Sequence, residues 1–113
     1  MLNFAAMQYD VFAWEEFVKS QDAVLLYLHN DACGVCNTLH PQVRKLVNGK
    51  FPKINMVDLD AVVNRELAAQ LRMLSIPGII LYVDGREVFR ANGMISLGEL
   101  EQKIARPYSL MFE

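Results

Sequence analysis

Ala23-Val24-Leu25-Leu26-Tyr27-Leu28-His29-Asn30-Asp31-Ala32-Cys33-Gly34-Val35-Cys36 is the stretch on which the reading of the chain turns. Its first six residues form a continuous apolar run rich in strand formers, the pattern of a buried strand. From Val35 onward, Leu39, Val43, Leu46 and Val47 recur at helical spacing. Cys33 and Cys36, the only cysteines in the chain, therefore fall where a strand hands over to the first turn of a helix. Side chains three apart on a helix lie on one face with Cβ atoms about 5–6 Å apart. A disulfide needs roughly 3.5–4.5 Å, so a small adjustment closes the pair. The helix start also supplies unpaired N–H groups and a partial positive charge, which favour a thiolate at the first cysteine. Such a pair can cycle between dithiol and disulfide with little backbone movement.

The totals narrow the setting. A length of 113 residues predicts one domain, 1–113, with a core of its own. Hydrophobic content of 53% and charged content of 21% are those of an ordinary globular chain. A net charge of −2 points to neither nucleic acid nor a membrane surface as partner. Residues Met1 to Met7 lack the basic start and long apolar core of a secretory signal. No apolar stretch approaches the ~20 residues of a membrane span. Two cysteines are too few for a disulfide scaffold, so the pair reads as redox or metal chemistry in a reducing compartment, with the cytoplasm expected. A monomer that needs no cofactor is the expectation.

Outward from the cysteines, the order of elements follows from periodicity and turn residues. Tyr9 to Ser20 predicts a helix with Val11, Trp14 and Val18 on one face. Residues 2–6 suggest a short edge strand. The cysteine helix is expected over about 34–48 and to stop at Asn48-Gly49, with a strand over Lys53 to Leu59. A third helix follows Asp60-Ala61, with Val63, Leu67, Leu71 and Leu74 as its apolar stripe. Gly78 to Val83 is a buried strand, Asp84-Gly85 a hairpin turn, and Arg86 to Ala91 the returning strand. Asn92-Gly93 turns the chain again. Ser96-Leu97-Gly98-Glu99 has the form of a capping box for a last helix built on Leu97, Leu100 and Ile104 and ended by Arg106-Pro107.

This order, with Cys-x-x-Cys between strand and helix, resembles the thioredoxin family over roughly residues 9–105. Pro41 lies five residues after Cys36, where the family's active-site helix is kinked. Ser75-Ile76-Pro77 looks like its cis-proline loop, Asp84-Gly85 its hairpin, and Gly93 its glycine before the last helix. The resemblance implies an α/β thioredoxin fold, a mixed four- or five-stranded sheet flanked by about four helices. It implies a thiol-disulfide oxidoreductase that reduces protein disulfides and is recharged by an electron-donating reductase. Cys33 would be the exposed nucleophile and Cys36 the resolving thiol, with Gly34 and Val35 forming the active-site loop between them. Ile76, on a cis bond to Pro77, would offer its backbone to an extended substrate, and Gly93 and Met94 would border the same groove.

Departures from the family pattern bear on the chemistry. Val35 stands where thioredoxins usually have proline, so the redox potential is not inherited. Tyr27 occupies the position of the buried aspartate that assists the resolving cysteine, and a phenol is a poor base near neutral pH. His29 and Ala32 replace the usual tryptophans, and Gly78 the usual threonine. His29 is a candidate to tune the Cys33 thiolate, with Asp31 acting in the opposite sense and Tyr27 as core packing. Asp58 and Asp60 read as caps or loop residues. Two rivals stand beside the enzyme. His29-x3-Cys33-x2-Cys36-x3-His40 carries zinc's preferred donors at a spacing unlike common fingers, and no metal is expected there. A thioredoxin-fold interaction module, whose pair forms a disulfide but does not turn over, is the other.

Overall fold

The computed structural model describes residues 7–113, and the short strand expected at 2–6 lies outside them. Four strands form one mixed sheet in the order β2-β1-β3-β4. β1 (Ala23–His29) is central, parallel to β2 (Asn55–Asp60) and antiparallel to β3 (Gly78–Val83), which pairs in turn with β4 (Arg86–Asn92). Helices α1 (Val11–Lys19), α2 (Gly34–Lys50), α3 (Arg65–Gln70) and α4 (Leu97–Phe112) cover it. Among the described residues the sheet has four strands.

The unbroken apolar run of β1 is explained by its two buried faces. Ala23, Leu25 and Tyr27 face the layer of α2 and α4, while Val24, Leu26 and Leu28 face Trp14, Val18 and Leu67 of α1 and α3. Alternation by two sends successive side chains into opposite cores. All of Val24 to Leu28 are closed to solvent. The Asp84-Gly85 turn has both central residues at positive φ, 55° and 77°, the geometry that matches strand twist in a two-residue hairpin. One bulge interrupts β3–β4: Leu81 pairs with Phe89 and Tyr82 with Glu87, so Val88 is left over and points to solvent.

Three helix boundaries differ from the sequence expectation. α2 does not stop at Asn48-Gly49 but runs to Lys50, because Phe51 buries its ring against Tyr108 at 5.1 Å and donates its N–H to the Val47 carbonyl. That anchoring outweighs the roughly 1 kcal/mol propensity cost of a glycine inside the last turn. α4 likewise continues through Pro107 to Phe112, held by Tyr108 against Phe51 and by Tyr108–Phe112 packing at 4.8 Å. α3 is shorter than its apolar stripe suggests. Asp60 and Asn64 hold residues 61–64 as turns, and Arg72 at φ 58° ends the helix. Leu67 and Ala68 are buried, whereas Val63 lies at the surface and Leu74 is 87% exposed.

Candidate active site

Cys33 is the residue just before α2. Its backbone is extended, at φ −90° and ψ 102°, and its Sγ accepts the N–H of Cys36 at 3.1 Å. A sulfur thus takes the capping role usually filled by an oxygen. Cys33 and Cys36 form a disulfide, with Cα atoms 5.2 Å apart. Their exposures differ: Cys33 is half-buried and Cys36 completely buried. The loop that delivers Cys33 is fastened at several points. Asn30 accepts the N–H of Ala32 through its side chain and that of Cys33 through its carbonyl, and the Asn37 side chain donates to the Asp31 carbonyl.

Around this pair the structure gathers most of the residues singled out from the sequence. Gly34 and exposed Val35 form one wall of a shallow apolar groove of about 570 Å³, and Met94, 77% exposed, stands on the other with Leu97. The Ile76–Pro77 bond is cis. Gly93, at φ 97°, donates its N–H to the Pro77 carbonyl at 2.9 Å, which ties the two loops together. Gly78 has a packing reason for lacking a side chain. A Cβ there would meet Met73 Cε at 2.6 Å and the Ser75 carbonyl at 3.2 Å.

Tyr27, His29 and Asp31 are drawn to the inner side of the disulfide. The Tyr27 hydroxyl donates to the Cys36 carbonyl at 2.8 Å. Burial, reinforced by the charge of Asp58, pushes the phenol up to about 12, so Tyr27 is a fixed donor and not a base. His29 stacks on Tyr27 at 6.2 Å and lies 6.4 Å from the ring of His40. With Asp31, Cys36 and Asp58 it lines a cleft of about 710 Å³ that runs along β2 and reaches Tyr9 and Phe17 at its far end. The His29, Cys33, Cys36 and His40 set is not assembled as a metal-holding cluster; no group of three or more such side chains is, among the described residues.

Sequence reasoning passed over Arg44 and read Asp58 as a cap or loop residue, whereas Asp58 lies inside β2 and its side chain meets α2. Asp58 pairs with Tyr27 in the β1–β2 ladder, accepts from Arg44 at 2.7 Å and approaches His40 Nε2 at 2.9 Å. The signal was present. Asp58 lies two residues after buried Met56 on the same strand face, so strand periodicity turned it inward. Asp60, by contrast, does cap: it accepts the N–H groups of Val62 and Val63 at 2.8 and 3.1 Å.

A mixed sheet with this strand order and a Cys-x-x-Cys disulfide at the start of its second helix defines a dithiol-disulfide protein. The family model Thioredoxin matches residues 6–106, and the chain belongs to that family. It is 31% identical over 96 residues to the thioredoxin-like protein YdfQ of Bacillus subtilis, a match covering 85% of each chain. Its fold is similar to that of mitochondrial thioredoxin 3 from Saccharomyces cerevisiae, with a TM-score of 0.75 at 20% identity over 88% of this chain and 92% of that one. Thioredoxin from Fasciola hepatica is similar in the same way, with a TM-score of 0.74 at 24% identity over 84% and 91%. Family, fold and a cysteine pair at bonding distance make the chain a thiol-disulfide oxidoreductase. Among the described residues no helix is long and apolar enough to cross a membrane.

Proposed function

We propose that this protein reduces disulfides in other proteins, with Cys33 as attacking nucleophile and Cys36 as resolving thiol. The observation that carries this reading is the asymmetry of the pair. Cys33 reaches solvent and holds a backbone N–H on its sulfur, while Cys36 is sealed beneath it. Only an accessible thiolate can attack an incoming disulfide, and only a neighbour held at bonding distance can displace the partner before a second molecule arrives. In the cycle, Cys33 Sγ bonds to one substrate sulfur and expels the other as a thiolate. Cys36 Sγ then bonds to Cys33 Sγ and expels the remaining substrate sulfur. Two electrons pass to the substrate, and a separate reductase restores the dithiol.

Substrate would lie along the groove between Val35 and Met94, with the Ile76 backbone offered to an extended segment. Proline at 77 has no N–H of its own, which leaves that edge open for pairing by strand addition. His29 and Asp31 act on the site through charge in this reading, and Gly93 holds the Pro77 loop through its N–H. A single domain acting as a monomer in a reducing compartment, the cytoplasm, accords with the small cysteine count. The test is turnover of a disulfide-bonded protein, insulin, with dithiothreitol as electron donor. Cys33→Ser should abolish exchange, and Cys36→Ser should accumulate a mixed disulfide with the insulin chains. A wild-type protein that oxidises but reduces no insulin would instead support an interaction module without turnover. Tyr27, standing where a base is usual, is the feature that favours that second reading.

A further inference from the structure

The resolving step needs Cys36 as a thiolate, yet Cys36 is closed to solvent and the Tyr27 hydroxyl beside it is already committed as a donor to its carbonyl. A proton must therefore leave through the inner side of the pair. The cleft there is lined by Cys36, His40, Asp58, Arg44, His29 and Asp31. His40 follows Cys36 by four residues on α2, so the two side chains lie on one face of the helix, about 5–6 Å apart at Cβ. The His40 ring meets the Tyr27 ring edge-on at 5.2 Å. Its Nε2 lies 2.9 Å from Asp58 Oδ2 without aligning to it as a hydrogen bond. Arg44 holds that same oxygen at 2.7 Å, and the other oxygen of Asp58 is buried with no partner.

We propose that His40, positioned by Asp58 and Arg44, is the proton acceptor for Cys36 in the cleft behind the disulfide, in place of a carboxylate at position 27. The proposal rests on the reading of Cys33 as nucleophile and Cys36 as resolving thiol. Imidazole is the side chain that exchanges a proton near neutral pH, and one nitrogen turned to a carboxylate leaves the other for the thiol. The Cys36 S–H proton passes to the neutral ring, directly or through a water in the cleft. Cys36 Sγ then bonds to Cys33 Sγ, the Cys33–substrate S–S bond breaks, and the departing substrate sulfur leaves with the electron pair. The ring returns its proton to solvent through the open side of the cleft. Asp58 orients the ring from 2.9 Å, while Arg44 holds Asp58 in place at 2.7 Å. The other groups facing His40 are Tyr27 and His29 from β1 and Asp31 from the loop.

The experiment is acid-quenched rapid mixing of the fully reduced chain with insulin between about pH 6 and 10, a span that brackets the ordinary thiol range. Mass analysis separates the free protein from the mixed disulfide. His40→Gln should leave the formation rate of the mixed disulfide unchanged and slow its resolution by about a hundredfold at pH 7, the low end for a positioned proton acceptor. The deficit should shrink toward high pH, where the thiol ionises unaided. Asp58→Asn should give a smaller loss with the same pH trend. A loss equal at all pH values, a loss in the formation step, or no loss at all would overturn the relay. A wild-type protein that forms no mixed disulfide would instead mean that the underlying cysteine assignment has failed, and the relay with it.

Discussion

Tyr27 stands six residues before Cys33, where thioredoxins usually carry a buried aspartate, and its surroundings explain how the exchange is tolerated. A carboxylate there would sit beside Asp58 on the neighbouring strand; a neutral phenol adds no charge and donates a hydrogen bond to the Cys36 carbonyl instead. That carbonyl belongs to the first turn of α2, so the bond fastens the helix start to the sheet. Removing the hydroxyl in Tyr27→Phe should cost about 1–2 kcal/mol in denaturant unfolding at pH 7, the usual loss for a buried hydrogen bond. Burial of the phenol, with the charge of Asp58 beside it, adds a pH signature. The folded phenol titrates at about 12 against an ordinary 10.0, so its contribution is full below pH 10 and is lost as pH rises toward 12. Tyr27→Phe should therefore unfold with a shallower alkaline decline over that window, and parallel declines would contradict the assignment. Gly78 is a second case in which a departure from the family pattern has a local cause. Gly78→Ala drives a methyl into Met73 and the Ser75 carbonyl. A cost of about 1–3 kcal/mol is expected from overpacking, measured by the shift in denaturant midpoint.

The turn between β2 and α3 shows what periodicity can and cannot reveal about an element. Val63, Leu67, Leu71 and Leu74 have helical spacing, yet only Leu67 lies in the middle of a buried helical face. The controlling residues are polar. Asp60 takes the N–H groups of Val62 and Val63, and buried Asn64 accepts from Tyr9 N while its amide donates to the carbonyls of Met7 and Asp60. Side-chain bonds of this kind compete with the helix for the same backbone groups, and they are invisible to an apolar pattern. At the other end Arg72 adopts a left-handed conformation, with Met73 N bonded to Ala68 O and Arg72 N to Ala69 O. Such closure usually uses glycine, which removes the textual cue for the helix end. The strands were legible because their apolar runs are long and their turns carry Asp-Gly and Asn-Gly. The ends of α2 and α4 were not, because aromatic packing across the layer decided them. Asp60 offers a test at this scale. Burial raises its carboxyl, but the N–H groups of Val63 and Val62, the Asn30 amide and the charge of His29 together bring it below the usual range. Its stabilisation is thus present above the ordinary carboxylate pKa and lost as pH falls through the lowered one. Asp60→Asn should be less stable than the wild type at pH 7 and should converge with it in acid; a constant gap down to acid unfolding would show that charge is not involved.

Across the whole molecule, the sheet separates two cores with different duties. The α2/α4 layer carries the cysteine pair and the Tyr27 bond, whereas the α1/α3 layer holds Trp14 against Tyr82 and Tyr9. The candidate site was legible where its chemistry is local in sequence, as in Cys33 and Cys36. The inner cleft was not, because Asp58 reaches His40 only through the β1–β2 pairing. Layering also fixes what the single tryptophan can report. Trp14 is 1% exposed, and its Nε1 donates to the Tyr82 hydroxyl at 3.2 Å on the face of the sheet opposite α2. A layer of backbone and side chains stands between the indole and the disulfide, so contact quenching by the sulfur atoms is blocked. Reducing the protein with dithiothreitol under native conditions should leave the Trp14 emission spectrum unchanged, while denaturant should shift it to the red as the indole meets water. A redox-linked change as large as the unfolding change would mean that the two cores are coupled across the sheet. In that event stability and disulfide chemistry could not be altered independently, and substitutions in the α1/α3 layer would shift the redox equilibrium of Cys33 and Cys36 along with the unfolding midpoint.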